Sequence, residues 1–565
     1  MPETTTVGEG IAKLLECCGV TTVFGVISMH NLPILDAIGQ RNRIRFVPTR
    51  GEAGATNMAD AFARVSGGLG VVVTSTGTAA GNACGALVEA QTAGTPLLHL
   101  TGQIDTPHLN RNRAFIHEAR DQLGMLKAVS KAAFRVQSAA TAISTVQTAI
   151  QIALSSPSGP VSVEIPIDLQ KEIIPCVSVS APLPTVPVPS SDVLDQLAER
   201  LIGASRPMLW LGGGARHAGP AVRRLVDLGF GVVTSTQGRG ILQEDDPATL
   251  GAFNAGTLSE DHYRTCDAML VVGSRLRGNE TLGYRLTLPR PLYQIDADPD
   301  SEGRCYPCDL FVHGDADLAL GGLADRIEGK MAISPDFHKD VAAVRREAET
   351  DLRQTLGPYS DLMDALALAA GSDFLWIRDV TLSNSIWGNK MMTLRGPRDG
   401  VHALGGGIGQ GLPMAVGAAL AAPGRKILCL TGDGGLQLCL GELRTAVQQG
   451  ADILLIIMND DGYGVIRNIQ DANYGGRHYF TDVTVMDFAG VCRALGVAHF
   501  PLNDLGNAGT VLSSAFAAKG PSVVEVDMGA IGDFNTSFAG PPVRTPEGRT
   551  SLNTSFPRNI GGVHT

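Results

Sequence analysis

The chain has 565 residues, of which 44% are hydrophobic and 18% are charged. At about 150 residues per domain, this length predicts three or four domains, and the composition excludes a generally disordered chain. Lys and Arg number 45 against 56 Asp and Glu, which gives a formal charge of −11. An acidic chain without a basic block is a poor nucleic-acid binder, so a small molecule or another protein is the expected partner.

The N-terminus and the cysteines indicate where the protein works. No basic region precedes an apolar one at the N-terminus, and no apolar run reaches about 18 residues, so neither a secretory signal nor a membrane span is predicted. The ten cysteines are scattered, which is typical of a reduced, cytoplasmic protein. Cys305 and Cys308 form a single CxxC pair, and because a zinc site usually needs a second pair, we interpret them as structural.

Short apolar runs alternate with longer helical patterns from the start of the chain. The first predicted strands cover residues 24–26, 70–73, 97–100 and 161–166. This alternation predicts a parallel α/β sheet and an N-terminal domain over residues 1–175. A segment over residues 175–191, rich in Pro, Ser and Val and almost free of charge, then predicts an extended linker.

Two further α/β blocks follow the linker. A middle domain is predicted over residues 190–330, a C-terminal domain over 355–545, and a tail, or a flap over a site, over 546–565. Their predicted strands cover residues 207–212, 231–233, 269–273, 293–296, 374–377, 426–430, 453–458 and 522–526. The predicted fold class is therefore α/β, with three doubly wound parallel-sheet domains. The absence of P-loop and G-x-S-x-G motifs argues against a P-loop NTPase and an α/β-hydrolase.

Two acidic turns at the ends of strands in the third block form a candidate functional site. The first surrounds Asp433, the second surrounds Asp460, and a helix is predicted between them over residues 438–449. Because the carboxyl ends of parallel strands lie at the same sheet edge, both carboxylates are expected to bind one Mg²⁺ ion. Gly432 and Gly434 would let the backbone approach a phosphate. Two unrelated turns are the alternative, but the placement of both turns at strand ends favours a diphosphate and metal site.

The two turns resemble the motif of thiamine diphosphate-dependent enzymes of the acetolactate synthase, benzaldehyde lyase and benzoylformate decarboxylase type. That motif is Gly-Asp-Gly, followed one helix and one strand later by Asn-Asn or Asn-Asp, and here it runs from Gly432 to Asp460. The resemblance implies that Asp433, Asp460 and the backbone carbonyl of Gly462 hold Mg²⁺ against the cofactor diphosphate. Asp460 stands where many members carry Asn.

A segment near the N-terminus resembles the part of the family that bears the activating glutamate. Glu52 follows an apolar strand at residues 46–48 and precedes the Gly-rich residues 74–82. A carboxyl group in an apolar pocket has a raised pKa and can share a proton with N1′ of the cofactor's aminopyrimidine ring. Taken alone, Glu52 fits better as an ordinary exposed residue near a helix start, but its position between these segments favours catalysis.

The Gly-rich residues 404–413 give a third resemblance. In the family, a bulky apolar residue here wedges between the two cofactor rings, which implies this role for Ile408, and the backbone of Gly406 is implied as the acceptor for the 4′-amino group. The alternative is a flexible turn into the helix that begins near Leu412. The cofactor-binding residues implied by the resemblance are Glu52, Thr76, Asn82, Ser383, Gly406, Ile408, Gly432, Asp433, Gly434, Gly435, Asp460, Gly462, Tyr463 and Gly464.

The resemblance covers essentially the whole chain. It identifies the three predicted domains, in order, as pyrimidine-binding, middle and diphosphate-binding. In the family, the glutamate and the metal site lie on different domains and meet across a dimer interface. The resemblance therefore implies a homodimer or a dimer of dimers, that is, a homotetramer.

Three further residues join Glu52 as catalytic candidates. His30 lies in the loop that faces the substrate in the family, where benzaldehyde lyase carries a histidine, and His117 lies where related enzymes tend to carry Gln. A histidine with a pKa of about 6.5 can shuttle protons to substrate oxygens. Gln103 matches acetolactate synthase and is expected to line the site, and His402 fits either a site histidine or a hydrogen-bonded structural group.

Departures from the family narrow the function. The adjacent His-His pair of pyruvate decarboxylase is missing, which argues against a simple acetaldehyde-forming enzyme. The segments that acetolactate synthases use for FAD are only partly matched around residues 273–277, which argues against FAD, while ADP or CoA in the middle domain stays open.

The resemblance thus implies an enzyme that uses Mg²⁺ and thiamine diphosphate to break or make a carbon–carbon bond next to a carbonyl, in a 2-oxo acid or a 2-hydroxy ketone. Three alternatives remain. They are a CoA-thioester lyase of the oxalyl-CoA decarboxylase or 2-hydroxyacyl-CoA lyase type, a non-catalytic homologue that only binds the cofactor, and a redox-active flavoprotein.

Overall fold

The computed structural model describes residues 3–484 and 486–544 of the chain. Over this part of the chain, three sheets of parallel strands alternate with helices, and one further pair of strands is antiparallel. The predicted α/β class with three parallel-sheet domains is therefore confirmed. The tail predicted over residues 546–565 lies outside the described residues.

The N-terminal domain is built on a six-stranded parallel sheet. Its elements are β1 (Thr4–Thr6), α1 (Val7–Cys17), β2 (Thr22–Gly25), α2 (Leu32–Arg41), β3 (Arg45–Pro48), α3 (Glu52–Ser66), β4 (Gly70–Thr74), α4 (Thr78–Ala93), β5 (Leu97–Gln103), α5 (Gln122–Val129), β6 (Ala132–Arg135), α6 (Ala139–Leu154), β7 (Pro160–Pro166), α7 (Ile167–Lys171) and β8 (Ile173–Pro175). The strand order is β3-β2-β4-β5-β7-β6, and β1 pairs with β8 outside this sheet. Strands β4, β5 and β7 are buried at every position, as expected for a sheet with helices on both faces.

The linker and the middle domain follow. Residues 176–190 form neither helix nor strand, as predicted for an extended segment, but they are tied to the domains, since Asp315 N–H donates to the Pro187 carbonyl at 2.8 Å. The middle domain consists of α8 (Ser191–Leu201), β9 (Pro207–Leu211), α9 (Gly219–Asp227), β10 (Gly231–Thr234), α10 (Thr257–Arg264), β11 (Ala268–Val272), β12 (Leu292–Asp296), β13 (Leu310–His313) and α11 (Ala316–Ile327). Its five strands are parallel in the order β10-β9-β11-β12-β13.

A long charged helix leads into the C-terminal domain. This helix is α12 (Phe337–Leu356), and the domain consists of α13 (Tyr359–Ala370), β14 (Phe374–Arg378), a π-helical turn (Asn384–Gly388), β15 (Gly400–His402), α14 (Gly411–Ala421), β16 (Lys426–Gly432), α15 (Asp433–Gln437), α16 (Glu442–Gln449), β17 (Ile453–Asn459), α17 (Gly464–Asn473), α18 (Phe488–Leu495), β18 (Ala498–Leu502), α19 (Ala508–Ala517), β19 (Ser522–Asp527) and α20 (Met528–Ile531). Six parallel strands run in the order β15-β14-β16-β17-β19-β18. None of the helices in the described ranges is both long and apolar enough to cross a membrane.

The helix predicted over residues 438–449 differs from the one observed. Helix α15 begins at Asp433 directly after the strand, and a turn separates it from α16, which begins only at Glu442. The Gly-rich start of this segment has low helix propensity, so the sequence pattern gave no reason to place a helix there. Each of the three sheets falls inside one predicted domain range, and the exact ends of those ranges stay predictions.

The N- and C-terminal domains of one chain pack together through α3 and α14. Met58 and Ala55 of α3 share a buried cluster with Leu412 and Ala415 of α14. At Gly417, a Cβ atom would lie 2.1 Å from the carbonyl oxygen of Met58, so the helices approach at a distance that only glycine permits. This contact fixes how the two domains lie against each other within the chain.

Candidate active site

The two acidic turns of the C-terminal sheet lie side by side. Strands β16 and β17 are hydrogen-bonded neighbours, and Asp433 and Asp460 follow directly after them. The buried Asp433 carboxylate accepts the backbone N–H of Gly462 at 3.0 Å and lies 3.4 Å from the backbone N of Asp460. The structure thus brings both acids together at the carboxyl edge of the sheet, where parallel α/β folds bind ligands.

The two carboxylates repel each other in a buried setting. Burial raises the pKa of Asp433, and burial together with the neighbouring Asp433 raises the pKa of Asp460 to about 7. Arg467 acts in the opposite direction, since its guanidinium donates to the backbone carbonyl of Asp460 at 2.5 Å and lies 3.7 Å from its carboxylate. The buried carboxylate of Asp433 and the half-buried carboxylate of Asp460 form a donor set that suits a hard divalent cation.

A cavity of about 400 Å³ opens beside the acidic pair. Ser383 lies in its wall with a buried hydroxyl that has no hydrogen-bond partner among the described residues, which leaves this group free for a ligand. Every C-terminal residue of the predicted cofactor set lines the cavity: Ser383, Gly406, Ile408, Gly432, Asp433, Gly434, Gly435, Asp460, Gly462, Tyr463 and Gly464. Apolar side chains complete the wall, among them Val380, Leu382, Met458, Val465, Ile466 and Met528.

Two glycines of this cavity are required by their surroundings. A Cβ atom on Gly434 would lie 2.8 Å from the ring of Tyr463. Gly462 has a φ of +152°, and a Cβ atom there would lie 2.3 Å from the carbonyl oxygen of Thr481. The backbone of both turns therefore stays open to a ligand that approaches closely, as a diphosphate does.

The Gly-rich loop at residues 404–411 is held by two carboxylates that sequence reasoning missed. Asp379, fully buried after β14, accepts two backbone N–H groups near the end of the loop at 3.1 and 3.0 Å, and burial raises its pKa to about 6. Glu89, from α4 of the N-terminal domain, accepts two at its start. Asp379 could have been recognised from the sequence, because it follows an apolar strand directly. Nothing in the sequence indicated that Glu89, in a helix of another domain, would contact the loop.

The predicted N-terminal site residues gather at the carboxyl edge of their own sheet. Glu52 is the first residue of α3, and its carboxylate accepts a hydrogen bond from Asn82 Nδ2 at 3.1 Å. Thr76 Oγ1 lies 3.2 Å from Gln103 Oε1 and 3.0 Å from Gln122 Oε1. The loops after β3, β4 and β5 therefore place Glu52, Asn82, Thr76 and Gln103 on one side of the domain.

His30 and His117 form a pair. Their rings meet edge to face with centroids 5.2 Å apart. Burial, and to a smaller extent the nearby His117, lowers the pKa of His30, so this imidazole is neutral at pH 7. The backbone of His117 has a φ of +64°, which is uncommon for a residue with a side chain. Two imidazoles at this separation could hold or exchange protons near a substrate.

A buried polar network behind Gln103 also escaped the sequence reasoning. Glu164 is fully buried, pairs with Arg135 and accepts N–H groups from Gln103 at 3.2 Å and from Gln122 at 2.9 Å. A glutamate inside the apolar strand β7 was the available signal, because a buried charge needs partners. The sequence did not identify those partners, which come from the end of β5, the start of α5 and β6.

The cavity beside the acidic pair is lined by only one of the two sets of predicted residues. All residues that line the 400 Å³ cavity belong to the C-terminal domain, whereas the catalytic candidates His30, Glu52, Gln103 and His117 belong to the N-terminal domain. Large apolar side chains are exposed in both regions: Ile27, Met29 and Ile116 in the first, Ile408 and Ile466 in the second.

His402 and the CxxC pair lie outside both sets. His402 is half-exposed as a whole, but its imidazole Nδ1 lies 3.2 Å from the Arg378 carbonyl, and burial of the ring, followed by the charge of Arg378, lowers its pKa well below the usual value. Burial raises the pKa of the Cys305 and Cys308 thiols, so neither is activated as a thiolate.

A second cavity, of about 560 Å³, lies between the middle domain and the other two. Burial lowers the pKa of Arg216 in its wall to about 9, and that of Arg398 falls for the same reason. Asp296, Asp298 and Asp315 also contribute to the wall. The cationic side chains that line it are Arg64, Lys131, Arg216, Arg275, Arg277, Arg304 and Arg398.

Comparison with known proteins gives concordant matches along the chain. Residues 5–125 match the N-terminal TPP binding domain of thiamine pyrophosphate enzymes, residues 194–323 the central domain, and residues 383–526 the C-terminal TPP binding domain. The chain is 31% identical to a probable 2-ketoarginine decarboxylase, AruI, of Pseudomonas aeruginosa, over 93% of this chain and 94% of that protein.

Acetolactate synthases are also among the relatives. The large subunit of acetolactate synthase isozyme 1 of Escherichia coli is 28% identical, over 92% of this chain and 94% of its own length. The mitochondrial acetolactate synthase catalytic subunit of Saccharomyces cerevisiae is 25% identical, over 92% and 80%, respectively.

Proposed function

This chain belongs to the thiamine pyrophosphate enzyme family, and we propose that it breaks or makes a carbon–carbon bond next to the carbonyl of a 2-oxo acid or a 2-hydroxy ketone. Its relatives include a decarboxylase and several acetolactate synthases, and the chain is accordingly a thiamine diphosphate-dependent decarboxylase or carboligase. The substrate and the role of each residue are the parts that we propose.

The acidic pair at the edge of the C-terminal sheet is the observation that carries the proposal. Asp433, Asp460 and the carbonyl of Gly462 would hold Mg²⁺, and the open glycine backbone beside them would admit the diphosphate. The unpartnered hydroxyl of Ser383 in the same wall supports this fit. When bound, thiamine diphosphate would supply an electron sink for the bond that breaks.

The other candidate residues would orient the reactants and handle protons. Glu52, with its carboxylate oriented by Asn82, would hold a proton at N1′ of the aminopyrimidine ring. Ile408 and Gly406 would position the two rings from the C-terminal side. The neutral His30, with His117, would accept or donate a proton at the substrate oxygen, and Gln103 would bind next to them.

We further propose that two chains complete each site, in a dimer or a dimer of dimers. The cavity beside Asp433 contains no residue of the N-terminal domain, and Glu52 lies elsewhere in the same chain. Exposed apolar side chains in both regions would become buried when the N-terminal region of one copy meets the C-terminal region of the other. The ten cysteines, none of them in a disulfide, suit the cytoplasm as the compartment.

Product analysis tests the substrate class. The purified protein, with Mg²⁺ and thiamine diphosphate, is incubated in parallel with pyruvate, benzoylformate, benzoin and 2-ketoarginine, the last because of the relative from Pseudomonas aeruginosa. We expect at least one of these to yield carbon dioxide, an aldehyde or a 2-hydroxy ketone. No turnover of any 2-oxo acid or 2-hydroxy ketone would contradict the proposal.

A CoA-thioester lyase is the second candidate, and the arginine-lined cavity favours it. Guanidinium groups such as that of Arg216, whose Nε donates to the Gln237 carbonyl but which forms no ion pair with a described residue, suit the phosphates of CoA or ADP. Incubation with oxalyl-CoA and with a 2-hydroxyacyl-CoA, followed by analysis of the thioester, decides between the two. Cleavage of a thioester while the free acids stay intact would replace the first candidate by the second.

A further inference from the structure

A buried carboxylate of the N-terminal domain holds the Gly-rich loop of the C-terminal domain. Glu89 lies on α4 and is 1% exposed. Its Oε1 accepts the backbone N–H of Leu404 at 2.8 Å, and its Oε2 accepts that of Gly405 at 2.5 Å. A Cβ atom on Gly405 would lie only 2.9 Å from the same Oε2, so the contact depends on glycine at this position.

The opposite end of the loop is held in the same way from its own domain. Asp379 Oδ2 accepts the N–H groups of Gly409 at 3.1 Å and of Gly411 at 3.0 Å. Between the two carboxylates, Gly406 and Ile408 line the cavity beside the acidic pair. The part of the loop that faces the proposed cofactor is therefore a short span between two anchored ends.

The charge of Glu89 is balanced inside the protein. Arg64 donates to Glu89 at 2.9 Å and also pairs with Asp60, and all three side chains are almost fully buried. Arg64 also donates to the carbonyl of His402, two residues before the loop. A buried ion pair adds little to stability compared with well-packed apolar residues. We therefore expect the cluster of Arg64, Asp60 and Glu89 to have a role besides stability.

We propose that Glu89 is a positioning residue for the cofactor, an inference that rests on the proposed function. Its two carboxylate oxygens accept two successive peptide N–H groups. These hydrogen bonds fix the direction of the backbone that leads to Gly406 and Ile408. The two N–H groups contact different oxygens of Glu89, and a neutral amide would place an NH2 donor where one of these oxygens lies, facing an N–H donor. The N-terminal domain thus shapes the cofactor cavity of the C-terminal domain in the same chain.

Helix α4 then contacts both sets of site residues. Asn82, two turns before Glu89 on the same helix, donates to the carboxylate of Glu52. Glu89 itself holds the loop beside the acidic pair. A displacement of α4 would therefore alter the setting of Glu52 and of the Gly406 loop together.

The test compares Glu89→Gln with Asp60→Asn. Both substitutions remove one buried charge next to Arg64, but only Glu89 contacts the loop. Binding of thiamine diphosphate with Mg²⁺, in the absence of substrate, is measured by calorimetry, and stability is measured by thermal unfolding. We expect Glu89→Gln to raise the dissociation constant of the cofactor about tenfold or more, and Asp60→Asn to leave it within about twofold, although both lower the unfolding temperature.

Hydrogen exchange of the loop gives a readout that does not depend on the cofactor. The backbone amides of Leu404 and Gly405 should exchange faster in Glu89→Gln than in Asp60→Asn. Should Glu89→Gln fail to fold, Glu89→Asp takes its place, since it keeps the charge beside Arg64 but shortens the reach to the loop. Its cofactor dissociation constant should also exceed that of Asp60→Asn.

The outcomes separate the two proposals. An unmodified protein that does not bind thiamine diphosphate would overturn the proposed function and this inference with it. An unmodified protein that binds, together with Glu89 variants that bind as tightly as Asp60→Asn, would overturn the role of Glu89 alone.

Discussion

Two close carboxylates that are largely shielded from water cost free energy unless a cation lies between them. Asp433, which is buried, and Asp460, which is half-buried, are such a pair. Burial raises the pKa of both, and the neighbouring Asp433 adds to the rise at Asp460, whose pKa is about 7. Arg467 offsets part of the charge of Asp460 from the side, while the cavity side of the pair is left to a ligand. At the scale of single residues, substitutions of this pair test the proposed function most directly.

Asp433→Ala should weaken retention of the cofactor, because it removes a proposed metal ligand together with the group that anchors the Gly462 N–H. We expect the purified variant to hold far less thiamine diphosphate than the unmodified protein, measured as cofactor content after gel filtration. Asp460→Asn is the matched control, because it keeps an oxygen ligand and relieves the repulsion, and it should retain most of the cofactor. Equal contents in Asp433→Ala and the unmodified protein would contradict the metal assignment.

Glu52→Gln should leave the fold intact and lower turnover by orders of magnitude, since an amide cannot hold a proton at N1′. The side chain is partly exposed at the start of α3, and its hydrogen bond to Asn82 can be kept by the amide oxygen. Turnover is measured with the substrate found by product analysis, and circular dichroism checks the fold. Turnover close to that of the unmodified protein would refute the catalytic role.

At the scale of elements, the contact between α3 and α14 decides how the two outer domains meet. Small residues let these helices approach, and the shared buried cluster joins the core of the N-terminal sheet to that of the C-terminal sheet. The same contact places α4 where Glu89 reaches the Gly-rich loop. The geometry of the cofactor cavity therefore depends on a helix pair that contains none of the metal ligands.

Gly417→Ala should destabilise the protein by about 1–3 kcal/mol, because the added methyl group would meet the carbonyl oxygen of Met58, which cannot move without its helix. Thermal or denaturant unfolding measures the loss. Gly39→Ala in α2 is the control, since a Cβ atom there meets no atom within 4 Å and alanine favours the helix. A Gly417→Ala protein as stable as Gly39→Ala would show that the helix contact tolerates more separation than we infer.

At the scale of the whole molecule, the two sets of proposed site residues lie on different domains of each chain. The acidic pair and the loop lie on the C-terminal domain, and Glu52 with the histidine pair lies on the N-terminal domain. A dimer in which these parts meet across the interface would hold two complete sites, each made by both chains.

Mixing two inactive variants tests this arrangement. If sites are shared, random re-association of equal amounts of Glu52→Gln and Asp433→Ala chains should restore up to about a quarter of the unmodified activity, because half of the dimers are mixed and each has one intact site. The readout is turnover after unfolding and refolding of the mixture, with each variant refolded alone as the control. A mixture as inactive as its components would place the whole site within one chain.

Local patterns in the sequence determined the fold class and most of the strands, and they predicted the residues of the C-terminal site. Apolar runs with turns at their ends are local signals, and Asp433, Asp460 and the glycines around them follow such runs directly, so their meeting at one sheet edge could be predicted. The predicted cofactor residues on both domains, their roles and the domain limits stay predictions. The sequence could not show that α15 begins at Asp433, since glycine-rich segments have weak helix propensity.

Only the tertiary structure decided which distant side chains support the site. Glu89 reaches a loop that begins 315 residues later, at Leu404, and Glu164 holds Gln103 from the neighbouring strand of the sheet, 61 residues later in the sequence. A charged residue in a buried segment indicates that partners must exist. Which residues these partners are depends on how helices and domains pack, and a local sequence pattern does not contain that information. The relative placement of the two sets of predicted site residues within one chain also could not be predicted from local patterns, because it depends on the packing of α3 against α14.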